Sequence, residues 1–193
     1  MEATLAIFLA ALLGSIPFGL LLTRAAGLGD IRSIGSGNIG ATNVLRTGNK
    51  KLAAATLLLD MLKGAAAVWL VAWIAPTYAP WAAVAAVLGH CYTPWLGFQG
   101  GKGMATALGV MLGLAWPIFV VSSLTWLAVA KLSKRSSAGS LSAIVIAPLA
   151  ALIFATPQAA LGLLLLGAVV VWRHKGNIQR LLAGTEPRIG QGK

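Results

Sequence analysis

Charged residues are scarce in this sequence. They make up 10% of its 193 residues, while 58% are hydrophobic and the mean hydropathy is +0.85. Soluble domains carry roughly 25% charged residues, so the composition excludes an ordinary soluble domain and indicates an integral membrane protein. The length fits one membrane-embedded domain, residues 1–193, and leaves nothing for a separate soluble one.

Residues that bind metals or act as nucleophiles are also few. With one cysteine, two histidines and no clustered carboxylates, we expect no disulfide, no metal site and no cofactor. Gly35-Ser36-Gly37 lacks the G-x-S-x-G spacing of a serine hydrolase. Neither histidine has the aspartate five residues on that marks the H-x4-D phospholipid acyltransferases, because Trp95 and Gln179 occupy those positions.

Acidic residues are also few: four Asp and Glu against 15 Lys and Arg, a net charge of +11. The basic residues lie in short segments between apolar runs, and no basic helix alternates with aromatic residues. This distribution argues against nucleic acid. It favours anionic lipids or anionic substrates as partners.

The apolar residues form seven successive segments: 5–22, 52–74, 81–96, 104–116, 118–130, 141–154 and 159–172. A membrane-crossing helix needs about 20 residues, and the prolines at 117 and 157 divide the later runs. The pattern predicts an all-α protein, a polytopic transmembrane helix bundle.

Charge favours seven spans, with the N-terminus outside and the C-terminus cytoplasmic. This arrangement brings all 15 Lys and Arg to one face, as the positive-inside rule requires. The alternative merges 104–130 and 141–172 into one span each. Those five spans would leave Lys131, Lys134 and Arg135 outside.

The first polar stretch, residues 33–46, combines flexible glycines with neutral donors and one fixed cation. Such a loop can aim successive N–H groups at an anion; the alternative is an ordinary solvated turn. The candidate residues are Ser36, Gly37, Asn38, Thr42, Asn43 and Arg46.

An ionisable pair, Asp60 and Lys63, lies inside the second apolar segment. The i, i+3 spacing puts both side chains on one helix face, at a depth where ionisable residues are costly. Two interpretations stay open. The pair is a structural ion pair, or Asp60 orients Lys63 toward a bound phosphate.

The stretch GHCYTPWLGFQGGKG, residues 89–103, leads into the fourth span. Lys102 is followed by Gly103 and residue 96 is leucine, so this is not a Walker A loop; residue 106 is Thr, so it is not GxGxxG. A lysine among glycines at a helix N-terminus still forms an anion site, the alternative being a flexible hinge. The predicted phosphate-binding residues are Gly100, Gly101, Lys102, Gly103 and Thr106, and His90 is a candidate base.

The segment after the last span, residues 173–186, carries His174, Asn177 and Glu186 among cations. Histidine titrates near neutral pH and can act as a general base. Taken alone, this segment equally fits a basic tail on anionic lipid.

In this order, five motifs resemble the PlsY family, the bacterial acyl-phosphate:glycerol-3-phosphate acyltransferases. They are LGSIPFG (13–19), SGNIGATNVLR (36–46), LDMLKG (59–64), GHCYTPWLGFQGGKGMAT (89–106) and HKGNIQRLLAGTE (174–186). The resemblance covers nearly the whole chain.

The resemblance implies a multi-pass protein of the bacterial cell (inner) membrane with its active site at the cytoplasmic face. It implies transfer of a fatty acyl group from acyl phosphate to the 1-hydroxyl of glycerol 3-phosphate, which gives lysophosphatidic acid and phosphate in phospholipid synthesis. It also implies functional roles for Ser36, Arg46, Lys102 with its glycines, His174 and Asn177, and a structural one for Glu186. His90, His174 or the departing phosphate can take the hydroxyl proton.

Two other functions are consistent with the composition. A transporter of phosphorylated solutes also uses helix ends and polar loops, and a membrane scaffold needs no chemistry. Clustering of the polar motifs at one face, and the lack of an inverted repeat, favour the enzyme.

Overall fold

The computed structural model of the protein describes residues 1–189, which contain α-helices, short 3₁₀ turns and loops but no β-strand. The prediction of an all-α protein is therefore confirmed. Within this range the helices are α1 (Glu2–Ser15), α2 (Phe18–Ala25), α3 (Ala41–Val44), α4 (Lys50–Ile74), α5 (Ala79–Cys91), α6 (Met104–Leu114), α7 (Trp116–Ser133), α8 (Ser136–Phe154), α9 (Pro157–Arg173) and α10 (Lys175–Leu182).

The helix breaks follow the prolines. α7 has Pro117 in its first turn after the extended residue Ala115, and α9 begins at Pro157 after the extended residue Thr156. Both breaks were predicted. The first apolar segment was predicted as one span, and Glu2–Ala25 is one candidate span, but its helix has an unpredicted break at Ile16-Pro17 between α1 and α2. The reason is that proline removes a backbone donor and biases the preceding residue toward extended conformations.

By length and composition, the described helices provide four or five candidate membrane spans. Among the described residues, four helical stretches are long and apolar enough to cross a membrane: Glu2–Ala25, Lys50–Ile74, Trp116–Ser133 and Ser136–Phe154. A fifth is present if α9 and α10, bent by 64° at their junction, are one broken span. α6 has only 11 residues and α5 only 13.

Glycines let the central helices pack closely. A Cβ at Gly14 or Gly89 would overlap the backbone across the α1–α5 contact. Gly64 of α4 and Gly109 of α6 face each other's helix in the same way. Close approach through small residues is how membrane helices associate, so α1, α4, α5 and α6 form the centre of the bundle.

The polar connections meet at one end of this bundle. Side-chain or backbone hydrogen bonds join the 26–49 loop to the start of α8, the 92–103 loop to α9 and α10, and the α7–α8 turn to the segment after α10. The backbone N–H of Ile189, for example, donates to the carbonyl of Lys134. The candidate site residues outside the spans therefore belong to one region.

Candidate active site

A chain of hydrogen bonds runs through the polar end of the bundle. Lys102 Nζ donates to Asn177 Oδ1 at 2.6 Å, and Asn177 Nδ2 donates to Glu186 Oε1 at 2.6 Å. Ser137 Oγ, near the start of α8, donates to the same carboxylate oxygen at 2.7 Å. One position earlier, the Ser136 hydroxyl lies 3.4 Å from Thr42 Oγ1. The chain connects three of the predicted polar stretches.

Lys102 is the cation at the centre of this region. Burial lowers the pKa of Lys102 to about 8; the Glu186 carboxylate opposes this decrease, and Arg180, Arg46 and Arg173 add to it. An excess of positive charge around a half-buried ammonium favours an anion there. This electrostatic environment fits a phosphate-binding site.

Glu186 holds the segment after α10 in place. Its carboxylate accepts hydrogen bonds from Ser137, Asn177 and Arg180, the last at 2.7 Å. Burial raises the pKa of Glu186, but these hydrogen bonds outweigh burial and keep the pKa below its ordinary value. All these contacts are with protein groups, which fits the structural role implied by the family resemblance.

In the 33–46 loop, Asn43 uses both of its amide protons within the loop. Nδ2 donates to the carbonyls of Ile31 and Ile34, while Oδ1 accepts the Ser36 backbone N–H at 3.0 Å. Asn43 is 2% exposed, so it shapes the loop and has no amide proton left for a phosphate. Asn38 also bonds inside the loop, to the Gly40 N–H.

The exposed part of the same loop carries Arg46 and Ser36. Gly35 and Gly37 adopt left-handed backbone angles, φ 58° and 66°, which glycine tolerates. The Arg46 side chain lies directly over Gly35, where any Cβ would overlap it. Among residues 1–189, the Arg46 guanidinium has no ion-pair partner. Ser36 is exposed, and its hydroxyl donates to Asn43 Oδ1 at 3.3 Å.

In the glycine loop, residues 97–103, some backbone N–H groups are hydrogen-bonded to carbonyls and others are not. Gly100 and Gly101 donate to the carbonyls of Cys91 and His90, both at 3.1 Å, so these two N–H groups are already used. Those of Lys102, Gly103 and Met104 have no acceptor in the described part of the chain. Gly103 has φ 85° and precedes α6 directly. The unused donors therefore lie at the N-terminus of α6.

The two histidines have different surroundings. His174 is buried, and its Nδ1 lies 2.8 Å from the Val170 carbonyl, which can only accept. Nδ1 therefore carries the proton and Nε2 keeps its lone pair. Burial, opposed by the hydrogen bond to Val170, lowers the pKa of His174 to about 4. At neutral pH this imidazole is uncharged and can accept a proton on Nε2.

His90 belongs instead to a buried polar cluster inside the bundle. Lys63 Nζ lies 2.7 Å from Asp60 Oδ1, 3.0 Å from His90 Nδ1 and 2.6 Å from the Ile16 carbonyl at the α1–α2 break. Two hydrogen bonds, to His90 and to the Ile16 carbonyl, and the ion pair with Asp60 hold the Lys63 ammonium group, which is 4% exposed. Thr106, predicted to bind phosphate, is also fully buried, in the first turn of α6.

Several residues of this region were missed at the sequence level. Ser136 and Ser137 link the predicted stretches, and Arg173 contacts the glycine loop. Only indirect signals preceded them: the serines follow the basic run 131–135, and Arg173 adjoins His174. No group of histidine, cysteine or carboxylate side chains suited to a metal occurs among residues 1–189.

Fold and site together define a helical membrane protein with a cationic polar region at one end of its bundle. A family model described as "Glycerol-3-phosphate acyltransferase" matches residues 4–184. The chain belongs to this family.

The sequence aligns with those of its relatives over nearly their full length. The glycerol-3-phosphate acyltransferase of Mesorhizobium japonicum is 59% identical over 186 residues, 96% of this chain and 95% of the relative. That of Erythrobacter litoralis is 53% identical, covering 92% and 90%. A crystal structure of PlsY (YgiH), an integral membrane glycerol 3-phosphate acyltransferase in the glycerol 3-phosphate form, is 35% identical with a TM-score of 0.92 over 98% of this chain and 96% of that one. The lysophosphatidic acid form has a TM-score of 0.91.

Proposed function

We propose that the protein transfers a fatty acyl group from acyl phosphate to the 1-hydroxyl of glycerol 3-phosphate, giving lysophosphatidic acid and phosphate. The observation that carries this proposal is the cationic region around Lys102, where unused N–H groups at the start of α6 lie beside an exposed loop with Arg46. Both substrates bear a phosphate, and the two loops offer two places to hold one. Family membership supports glycerol 3-phosphate as the acceptor of the acyl group.

An apolar groove could hold the acyl chain of the substrate, which is consistent with the proposed reaction. It has a volume of about 420 Å³ and is lined by Leu9, Leu12, Leu13, Ile16, Leu70 and Trp95. Leu9 lies on α1 and Ile16 directly follows its end, seven positions and about 10 Å further along. Trp95 lies in the connection that leads to the glycine loop. We assign the acyl chain to this groove, with the phosphate end toward Lys102.

The proposed reaction is a direct attack. The glycerol oxygen forms a bond to the acyl carbonyl carbon, the carbonyl–phosphate bond breaks, and phosphate leaves with the electron pair. Acyl phosphate is a mixed anhydride and already activated, so no covalent nucleophile is required. Lys102 and the α6 N-terminus stabilise the anion, while Asn177 orients Lys102. Ser36 and Arg46 hold the second phosphate.

His174 is the favoured base for the hydroxyl proton. It is a neutral imidazole with an available Nε2 lone pair, whereas His90 accepts on Nδ1 from Lys63 and carries its proton on Nε2. In this proposal the proton moves from the glycerol hydroxyl to His174 Nε2 and then to the released phosphate. Transfer of the proton directly to the phosphate is the alternative, and the histidine variants discussed below separate the two.

We also propose seven spans, with the N-terminus outside and this site at the cytoplasmic face. The contacts between the polar connections support the arrangement: α4 and α5, α6 and α7, and α8 and α9 each leave the polar end and return to it. Single cysteines introduced in the polar connections and in 75–78 or 155–156, on a Cys91→Ala background, test it. Labelling of 75–78 by an impermeant reagent from the cytoplasmic side would contradict it.

The function itself is tested with purified protein in detergent, acyl phosphate and glycerol 3-phosphate. We expect lysophosphatidic acid and phosphate in equal amounts, without a second membrane compartment. Movement of phosphorylated solute into proteoliposomes with no acylated product would contradict the proposal and indicate a transporter. The two hydrogen bonds and the ion pair that hold Lys63 inside the bundle argue against a mid-membrane transport site.

A further inference from the structure

Arg173, the last residue of α9, lies against the backbone of the glycine loop. Its Nη2 donates to the carbonyl of Gly100 at 2.8 Å, and its Nε donates to the carbonyl of Gly101 at 3.0 Å. The guanidinium carbon lies 5.4 Å from the centre of the Tyr92 ring. The side chain is half-buried and forms no ion pair with any residue from 1 to 189.

We propose that Arg173 is a positioning residue that aims the backbone N–H of Lys102 at the bound phosphate, an inference that rests on the proposed function of this loop. Arg173 does not touch the substrate in this proposal. It acts by fixing the orientation of two peptide planes, so that the donor at the start of α6 faces the anion before it arrives.

The geometry of the peptide bond carries the argument. In a trans peptide the C=O and the following N–H point in opposite directions, and no cis peptide occurs among the described residues. The Gly101 carbonyl is directed at Arg173, so the Lys102 N–H points away from it. The preceding plane is fixed twice, because the Gly100 carbonyl faces Arg173 and the Gly101 N–H donates to His90.

The loop needs such an external constraint because of its composition. Glycine peptide planes rotate with little steric resistance, and residues 100, 101 and 103 are all glycine. Without the two hydrogen bonds from Arg173, the plane between Gly101 and Lys102 can turn its carbonyl toward the anion. A carbonyl oxygen in that position repels phosphate, whereas the N–H attracts it.

Arginine suits this task better than lysine. Its planar guanidinium offers several donors in a fixed fork, so one side chain can hold two carbonyls at once. The Tyr92 ring supports the guanidinium on one face. Because Arg173 directly precedes His174, the same residue also fixes the end of α9, and with it the candidate base, against the glycine loop.

The variants Arg173→Lys and Arg173→Gln test the proposal, with Lys175→Gln as the matched control. Lys175 is exposed two positions further on and contacts the Trp172 ring instead of the loop, so its variant removes the same charge from the same segment. Affinity for inorganic phosphate is measured by equilibrium binding to the full chain in detergent. Thermal unfolding without phosphate shows whether each variant is folded.

We expect both Arg173 variants to bind phosphate about tenfold more weakly, the equivalent of one lost hydrogen bond of ordinary strength, while Lys175→Gln binds like the unaltered protein. Arg173→Lys keeps the positive charge, so full recovery of affinity in that variant would overturn the proposal in favour of simple charge attraction. In turnover assays, KM for the phosphate-bearing substrate held by this loop should rise more than kcat falls.

Tyr92→Ala provides a second variant in case the Arg173 variants do not fold. It leaves the charge and removes only the supporting ring, so we expect a loss of phosphate affinity of about threefold. In the double variant Tyr92→Ala/Arg173→Gln the two losses should not add, because both act through one guanidinium. Unchanged phosphate affinity in Tyr92→Ala, or additive losses where the Arg173 variants fold, would overturn the proposal. Phosphate binding is measured without turnover, so absence of acyl transfer in the unaltered protein contradicts the proposed function alone.

Discussion

Lys102 and Asn177 are 75 positions apart in the sequence, and a hydrogen bond of 2.6 Å joins Nζ of the first to Oδ1 of the second. Lysine side chains have many rotamers, so a half-buried ammonium must be held to act at one position. Asn177 provides this hold, and Glu186 fixes Asn177 in turn. The cation of the glycine loop is therefore oriented by residues that follow the last apolar helix.

Replacement of Lys102 by methionine tests the role of this cation. Methionine keeps much of the side-chain volume but removes the charge and the donors. We expect kcat/KM for acyl transfer to fall by about 100-fold, the scale of losing one preorganised donor to a developing anion. Lys131→Met, an exposed position on α7, is the control and should behave like the unaltered protein. A loss below threefold in Lys102→Met would contradict the assignment.

The lowered pKa of Lys102 predicts a pH dependence of phosphate binding. The ammonium is charged below its pKa of about 8 and loses its proton above it, while the second ionisation of a phosphate ester is complete by then. Affinity for glycerol 3-phosphate, a phosphate ester, should therefore fall by about half between pH 7 and 8, and by up to about tenfold per pH unit above pH 8. Lys102→Arg stays charged and should remove this decrease. The same decrease in that variant would assign it to another group.

Glu186 predicts a pH dependence of stability. Its folded-state pKa lies below the ordinary value of 4.5, so its contribution to stability is fully present above pH 4.5 and is lost as pH falls through the folded-state pKa. Glu186→Gln brings an amide NH₂ toward three donors and should lower the unfolding temperature at pH 7 by several degrees. At pH 3 the difference from the unaltered protein should be smaller. An equal difference at both pH values would contradict the linkage.

The helical elements followed from the sequence because two simple signals determine them. Hydrophobic runs gave the segments, and Pro117 and Pro157 marked the breaks that the structure contains. The break at Pro17 escaped prediction because the apolar pattern is continuous on both sides of it. Hydropathy identifies the segments that prefer lipid. Where such a segment breaks into two helices depends on a single residue, such as a proline that lacks a backbone N–H.

The site was predictable as a set of segments but not as a set of contacts. Glycines around Lys102 indicated an anion site, yet nothing local shows that the N–H groups of Gly100 and Gly101 are already bonded to the end of α5. In the same way, the amide of Asn43 could bind a phosphate, but in the structure it donates both protons to carbonyls of its own loop. Such assignments depend on which distant carbonyl lies nearby, and spacing along the chain does not contain that information.

The apolar groove beside α1 predicts a means of changing acyl-chain preference. Leu9 lies at the groove's end farthest from Ile16 and the α1–α2 break. Leu9→Trp should shorten the space available, so transfer of long chains should fall several-fold relative to short ones. Leu5→Trp, one turn earlier and outside the groove lining, is the matched control. An unchanged chain-length profile in Leu9→Trp would place the acyl chain elsewhere.

The position of His90 under the glycine loop predicts a compensating pair of substitutions. A Cβ at Gly101 would overlap the His90 ring around Nε2, so Gly101→Ala should reduce phosphate affinity and turnover by at least tenfold. His90→Asn shortens that side of the ring and keeps an acceptor for Lys63.

The double variant Gly101→Ala/His90→Asn should therefore recover most of the lost turnover, because the Cβ now has room. His174→Asn should lose about 100-fold or more, as expected for removal of a general base, and should keep its phosphate affinity. If His90→Asn alone abolishes turnover while phosphate still binds, His90 is the base and the assignment to His174 is wrong. If both asparagine variants turn over normally, the hydroxyl proton passes directly to the departing phosphate, because no other neutral imidazole exists in this chain.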